Sequence, residues 1–391
     1  MRKIFSRSAM LPLLLCSCDG ARDAEPATIG IDPDQMAWES PRGDLWDIVD
    51  VVETDSLVWV LTTADPLVHG FRQGVEVVAF GRHGDGPNEV RSALALVDGG
   101  AVGEITLWDA AARLYRTFSA TGTLVSTWDA GRLGTVRGDI DVVTFGDPLR
   151  VATATEGTVR AEYREAVNSA AAVWSGRLAR FDDDGSVEHV VDFMELRGAP
   201  HEDQRAGTIL SAVPLWDVCP DDRIALLDPI ARHLYLVGAS WETRDSLLVP
   251  WEGKPLTRDD RLAYLRGQME AELQGRQVGS EIQPMLEQAE AGSRDQFAPT
   301  TPLGVDLRCA TGRVWIQEFD GGSHPLGQGR RWRTIALAAE EPRYSRVTLP
   351  GGFRPYRISD SRMLGVVTDS LGLQRVASIQ LPSALRFGQS Q

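Results

Sequence analysis

Apolar positions along this chain come in short bursts separated by glycine, aspartate and proline. The stretch 57–90 sets the pattern. Runs at 58–61, 67–71 and 75–80 are apolar or alternating, and Asp65-Pro66 and Gln73-Gly74 lie between them. Runs of this length, bounded by turn residues, predict β-strands. A glycine-rich exit follows at 81–90.

The same plan recurs, and the end of each second strand sets a register. Val60-Leu61-Thr62 aligns with Leu107-Trp108-Asp109, Thr153-Ala154-Thr155, Leu226-Leu227-Asp228 and Ile316-Gln317-Glu318. Phe71, Phe118 and Val237 each fall nine residues beyond that anchor. Spans of about 45–90, 94–130, 139–195, 213–251, 303–350 and 353–382 result, at the spacing of roughly 40 residues found in propeller blades. The predicted fold is all-β, a six-bladed β-propeller. The last span has three clear strands, and 27–31 is expected to supply its outer one, closing the ring without a free seam. Sequential β-sandwiches are the alternative, and they need no shared register.

One segment breaks the β pattern. Between the fourth and fifth spans, Thr257 followed by Asp260 resembles a capping box. Leu262, Leu265, Met269 and Leu273 recur at helical spacing. A second helix is expected over 280–290, its start limited by Pro284. This short helical insertion, about 257–291, either decorates the flank or covers one mouth of the channel.

Composition narrows the partners. The chain has 391 residues, 43% of them hydrophobic, and a formal net charge of −15. So acidic a surface argues against nucleic acid. Neither Asn88 nor Asn168, the two asparagines, opens an N-x-S/T acceptor.

The N-terminus reads as an address. Arg2, Lys3 and Arg7 precede an apolar core at 10–15 that is too short to span a bilayer. Leu15-Cys16-Ser17-Cys18 resembles a bacterial lipobox, which implies export, cleavage before Cys18 and acylation of Cys18. The expected organisation is a signal peptide at 1–17 and a lipidated tether at 18–28. The propeller then covers 29–382, with a tail at 383–391. Acyl chains contribute about 0.8 kcal/mol per buried CH₂ and hold the body close to a membrane. An ordinary secretory signal with incidental cysteines is the alternative.

Phe80-Gly81-Arg82-His83-Gly84-Asp85-Gly86-Pro87-Asn88-Glu89-Val90 resembles the GxxGxGPGE-type stretch of bacterial six-bladed β-propeller lipoproteins, a group related in shape to NHL and TolB-like propellers. Gly312-Arg313-Val314-Trp315-Ile316 is similar to that group's tryptophan-bearing strand. Asn88 stands where glycine is common, and Val90 where an aromatic is common. The resemblance implies a fold more than an activity.

Candidate chemistry is sparse. Thr62, Asp109, Thr155, Asp228 and Glu318 share one register position, with Asp369 as a further member. They either accept turn N–H groups at strand ends or line a channel mouth that could bind Ca²⁺. His83, Asp85 and Glu89 share the glycine-rich loop and could hold a metal or an anion, though tight backbone turning also explains the glycines. Cys219 and Cys309 lie 90 residues apart, at equivalent positions of neighbouring repeats. An exported protein can bond them if their Cα atoms come within about 7 Å, and buried thiols are the alternative. Trp59, Trp108 and Trp315 are expected in the core, Trp241 and Trp251 as exposed stacking surfaces. His233 and His324 lack metal-ligand spacing, and no nucleophile elbow, P-loop or Rossmann fingerprint occurs.

Two functions follow. One is a non-catalytic scaffold in the bacterial cell envelope, anchored to a membrane, monomeric, and binding a peptide, glycan or protein without a cofactor. The other is a propeller enzyme, a Ca²⁺-dependent lactonase or lyase with its carboxylates at the channel mouth, supported by fold analogy alone.

Overall fold

A computed structural model describes residues 27–41, 45–54, 57–86, 89–99, 102–129, 150–153, 159–168, 173–181, 187–192, 209–210, 214–238, 244–272, 280–320, 331–337 and 342–386. Two short strands come first, β1 (Ala27–Gly30) and β2 (Met36–Trp38). A four-stranded meander follows: β3 (Ile48–Glu53), β4 (Val58–Thr62), β5 (Val68–Arg72) and β6 (Val75–Phe80). The next is β7 (Ala93–Asp98), β8 (Ile105–Asp109), β9 (Leu114–Phe118) and β10 (Leu124–Asp129). Then come β11 (Arg150–Thr153), β12 (Val159–Asn168), β13 (Val173–Phe181) and β14 (Val187–Asp192). After them lie β15 (Leu215–Val218), β16 (Ile224–Asp228), β17 (His233–Val237) and β18 (Arg244–Leu248). Helices α1 (Arg258–Glu272) and α2 (Gln283–Ser293) intervene. The last two meanders are β19 (Asp306–Ala310), β20 (Arg313–Gln317), β21 (Arg331–Ala336), β22 (Arg343–Thr348) and β23 (Phe353–Ile358), β24 (Arg362–Thr368), β25 (Gln374–Gln380).

Turn residues explain why the strands are so short. Gln73 and Gly74 both take positive φ, 50° and 78°, in the two-residue loop joining β5 to β6. That backbone matches the twist of a hairpin, and glycine adopts it without steric cost.

The second strands β4, β8 and β16 are buried along their whole length. Both faces of the sheet are covered by neighbouring sheets, so these strands read as continuous apolar runs. Trp59, Leu61, Leu96, Leu107 and Phe118 share one core between the first two meanders. Leu227, Leu307 and Ile316 share another, and Trp332, Phe353 and Met363 a third. Val51, Val60, Tyr356, Leu364 and Val376 join the last meander to the first. The first strand of each sheet lies innermost: β3 sits beside β7 and β23, and β19 beside β15 and β23. The fold is a β-propeller.

The expected count of six blades is corrected to five. The least regular sheet is β11–β14, in the repeat assigned to 139–195. Its middle strands run ten and nine residues, against five in β4, β5, β8, β9, β16 and β17. A spacing of about 40 residues measures chain length and not strand length, so it cannot distinguish a regular blade from an irregular sheet. This sheet packs through Leu178 against Trp216, Ile224, Leu226 and Val237. The helices lie between β18 and β19.

The seam also differs from expectation. β2, not 27–31, is the outer strand of the last sheet, pairing antiparallel with β25. β1 instead pairs in parallel with β22, extending the preceding sheet to five strands. The N-terminal chain thus covers two sheet edges. Ser40 fixes it further by accepting from the Val376 N–H at 2.9 Å.

α1 begins as expected: Thr257 N–H donates to Asp260 at 2.9 Å, and Asp260 N–H donates to the Thr257 hydroxyl at 3.2 Å. Leu262, Leu265 and Met269 are only half-buried, so this face is not a core. Charge joins the helices instead. Glu290 on α2 is 1% exposed and accepts from Arg261 at 2.7 Å and Arg294 at 3.2 Å. Hydrogen bonds from Arg294 and Arg261 outweigh burial and hold the Glu290 carboxyl down to about 2. No described helix is long and apolar enough to cross a membrane.

Candidate functional site

The described residues of the shared register position lie at or just past the ends of second strands, and most of their side chains serve turns. Asp109 is fully buried and accepts from the N–H groups of Arg91, Ser92 and Ala112 at 3.1, 3.0 and 3.3 Å. Asp228 accepts from Ile230 and Ala231 at 2.8 and 3.0 Å. Asp369 accepts from Leu371 and Leu373, and the Thr62 hydroxyl donates to Ala64 and Pro66 carbonyls. Glu318 lies among Arg333, Arg346 and Arg331, the last two at 3.1 and 3.8 Å. Burial pushes the Glu318 carboxyl up, but Arg333 and Arg346 prevail and hold it below the usual range. Thr155 lies outside the described residues.

The glycine-rich loop is likewise committed to itself. His83 meets Asp65 at 2.9 Å, Asp85 meets Arg91 at 2.6 Å, and Glu89 meets Arg82 at 2.6 Å. The three candidates therefore point to separate partners. Glu89 folds back over the glycines and accepts from Gly86 N–H at 2.8 Å. A Cβ on Gly84, whose φ is +153°, would sit 1.9 Å from a Glu89 oxygen. That explains the glycine spacing without a ligand. Among the described residues, no three His, Cys, Asp or Glu side chains gather closely enough to hold a metal ion.

Cys219 and Cys309 form a disulfide across two neighbouring sheets, with Cα atoms 4.8 Å apart. Trp59, Trp108 and Trp315 are buried. Trp251 is half-buried, with the Arg333 guanidinium 4.6 Å above its ring and Tyr344 at its edge, so its stacking surface is taken. Trp241, His324 and Cys18 lie outside the described residues. The large exposed aromatics among those described are Trp38 and Trp46, which the sequence reading did not select.

It also missed a cluster on the innermost strands. Asp50 on β3 accepts from Leu96 N–H on β7 at 2.9 Å. Asp217 on β15 accepts from Cys309 N–H on β19 at 2.9 Å. Each carboxylate thus bridges to the next sheet's inner strand. Arg308 on β19 pairs with Asp306 at 3.0 Å. Burial pushes its guanidinium pKa down, but Asp306, Asp217, Asp50 and Tyr356 more than compensate and raise it. Strands from four sheets therefore act on one arginine. The available signal was an acid inside strands that otherwise read as apolar, as in Val49-Asp50-Val51 and Trp216-Asp217-Val218.

The chain matches no protein-family model and no curated protein. Solved structures of similar shape include a DUF4221-family protein from Bacteroides vulgatus, 8% identical, covering 88% of this chain and 98% of its own, with a TM-score of 0.49. A putative exported protein from Bacteroides fragilis is 10% identical, covers 91% and 99%, and has a TM-score of 0.48. A virginiamycin B lyase from Staphylococcus aureus is 8% identical, covers 89% and 100%, and scores 0.43. Similarity this loose carries no assignment of activity. The propeller is read from the strand order and the packing between sheets.

Proposed function

We propose that this protein is an extracytoplasmic β-propeller, moored by acyl chains on Cys18, that acts as a non-catalytic binding scaffold for a peptide, glycan or protein. Kinship with the NHL and TolB-like propeller lipoproteins belongs to the same reading. One observation carries it. Most polar side chains best placed for chemistry spend their lone pairs and charges inside the protein, Asp109 and the Oδ1 of Asp228 on turn N–H groups and Glu318 on arginines, while the buried Oδ2 of Asp228 has no hydrogen-bond partner among the described residues. A Ca²⁺ site needs several oxygens turned to one point. Asp85 and Glu89 also face separate arginines. The acidic net charge favours partners other than nucleic acid.

The test joins the anchor to the absence of catalysis by metal. The protein expressed in a bacterial host is expected to incorporate a palmitate analogue and to fractionate with membranes, and Cys18→Ala to do neither. Elemental analysis of the purified protein is expected to find no stoichiometric Ca²⁺. Labelling unaffected by Cys18→Ala would overturn the anchor. Bound Ca²⁺ that disappears in Asp228→Asn would overturn the scaffold.

A further inference from the structure

We infer that the propeller stands on its membrane in one orientation: the hairpin-turn side faces the lipid, and the side bearing the glycine-rich loop and helices faces away. This rests on the proposed acylation of Cys18 and deepens it.

The direction of β1 is the reason. It runs parallel to β22, with Ala27 beside Ser345 and Gly30 beside Thr348. The chain before Ala27 therefore leaves at the end of β22 where Arg343 begins it. Arg343 pairs with Ala336, and Ala336 with Arg313, which starts β20. This is the side of the tight turns that join first strands to second and third strands to fourth. The Cys219–Cys309 bridge lies there too, since Cys219 N–H donates to Arg223 O across the β15–β16 turn. Glu318, Asp109 and Asp228 mark the opposite side, at the far ends of the second strands. The connections between sheets leave from that opposite side, including residues 81–92 and the segment carrying α1 and α2.

Tether length turns direction into orientation. Cys18 and Ala27 are nine positions apart, a span that reaches at most about 30 Å when fully extended. The rim from which it springs must stay close to the bilayer. The surface left free for a ligand is then the one built from the longer connections between sheets.

Asp360 and Leu371 provide a matched pair of probes. Both are exposed, and they lie beyond opposite ends of β24 in one sheet. Seven residues of strand set them about 23 Å apart or more. Lipidated full-length protein carrying Asp360→Cys or Leu371→Cys would be labelled with a donor dye and reconstituted in phosphatidylglycerol-containing vesicles with an acceptor-labelled lipid. Energy transfer is expected to be several-fold greater from position 360. Equal transfer, or more from 371, would overturn the orientation alone. Protein that fails to float with the vesicles, or floats equally well as Cys18→Ala, would overturn the anchor and the orientation together.

Discussion

Single residues here show how polar groups become structural. Glu290 is the sharpest case, because burial would expel a lone carboxylate and two arginines instead hold it charged. Its folded pKa, about 2, lies below the ordinary 4.5. A depressed carboxylate pKa adds stability that is complete above the unfolded value and is lost as pH falls toward the folded one. The helical segment is therefore expected to loosen between about pH 4.5 and pH 2. Glu290→Gln should expose Arg258, Arg261 and Arg266 to trypsin several-fold faster at neutral pH while propeller fragments persist. It should also remove that acid-dependent loss of helical circular dichroism. Unchanged cleavage and an unchanged acid profile would show that the helices are held by other contacts. The Asp65 carboxyl is lowered in the same direction by its hydrogen bonds from His83. Its exposure leaves it a minor contributor.

At the scale of elements, closure depends on the N-terminal strands. β2 supplies the outer strand of a sheet that otherwise has three, and β1 covers the edge of β22. Removing residues 1–26 keeps both β1 and β2 and is expected to leave the melting temperature nearly unchanged. Removing residues 1–38 should lower it by several degrees or abolish soluble expression, since two sheet edges are then bare. Equal melting of both truncations would show that β1 and β2 decorate the fold without closing it. The sequence announced strands and turns well at this scale, since alternation and turn residues act within a few positions. It misplaced the closing strand by several residues. Ala27-Thr28-Ile29 and Met36-Ala37-Trp38 are both short and apolar, and only the partner edge selects between them.

For the whole molecule, the link between neighbouring sheets is partly covalent. The Cys219–Cys309 bridge closes a loop of 90 residues that spans the helical segment. A loop of that length is worth about 2–5 kcal/mol through restriction of the unfolded chain. Cys219→Ser with Cys309→Ser should lower stability to denaturant by that amount without changing the secondary structure seen by circular dichroism. A change below about 0.5 kcal/mol, the scale of neutral surface substitutions, would show that inter-sheet packing carries the junction alone. The equivalence of the two cysteines could be read from their spacing. Their approach to 4.8 Å could not, because it depends on how tightly the inner strands gather.

What the chain determines by itself is local. Strand positions, hairpin turns, the capped start of α1 and the self-contained glycine-rich loop all arise between residues close in sequence. The number of regular blades, the strand that seals the ring and the bridges from Asp50 and Asp217 to neighbouring inner strands were decided only in three dimensions. Such features join groups far apart along the chain, as where the Tyr356 hydroxyl donates to the Ile48 carbonyl across 308 residues. Periodicity carries no record of which distant edge or charge a strand will meet. Packing and electrostatics settle that once the sheets close on one another.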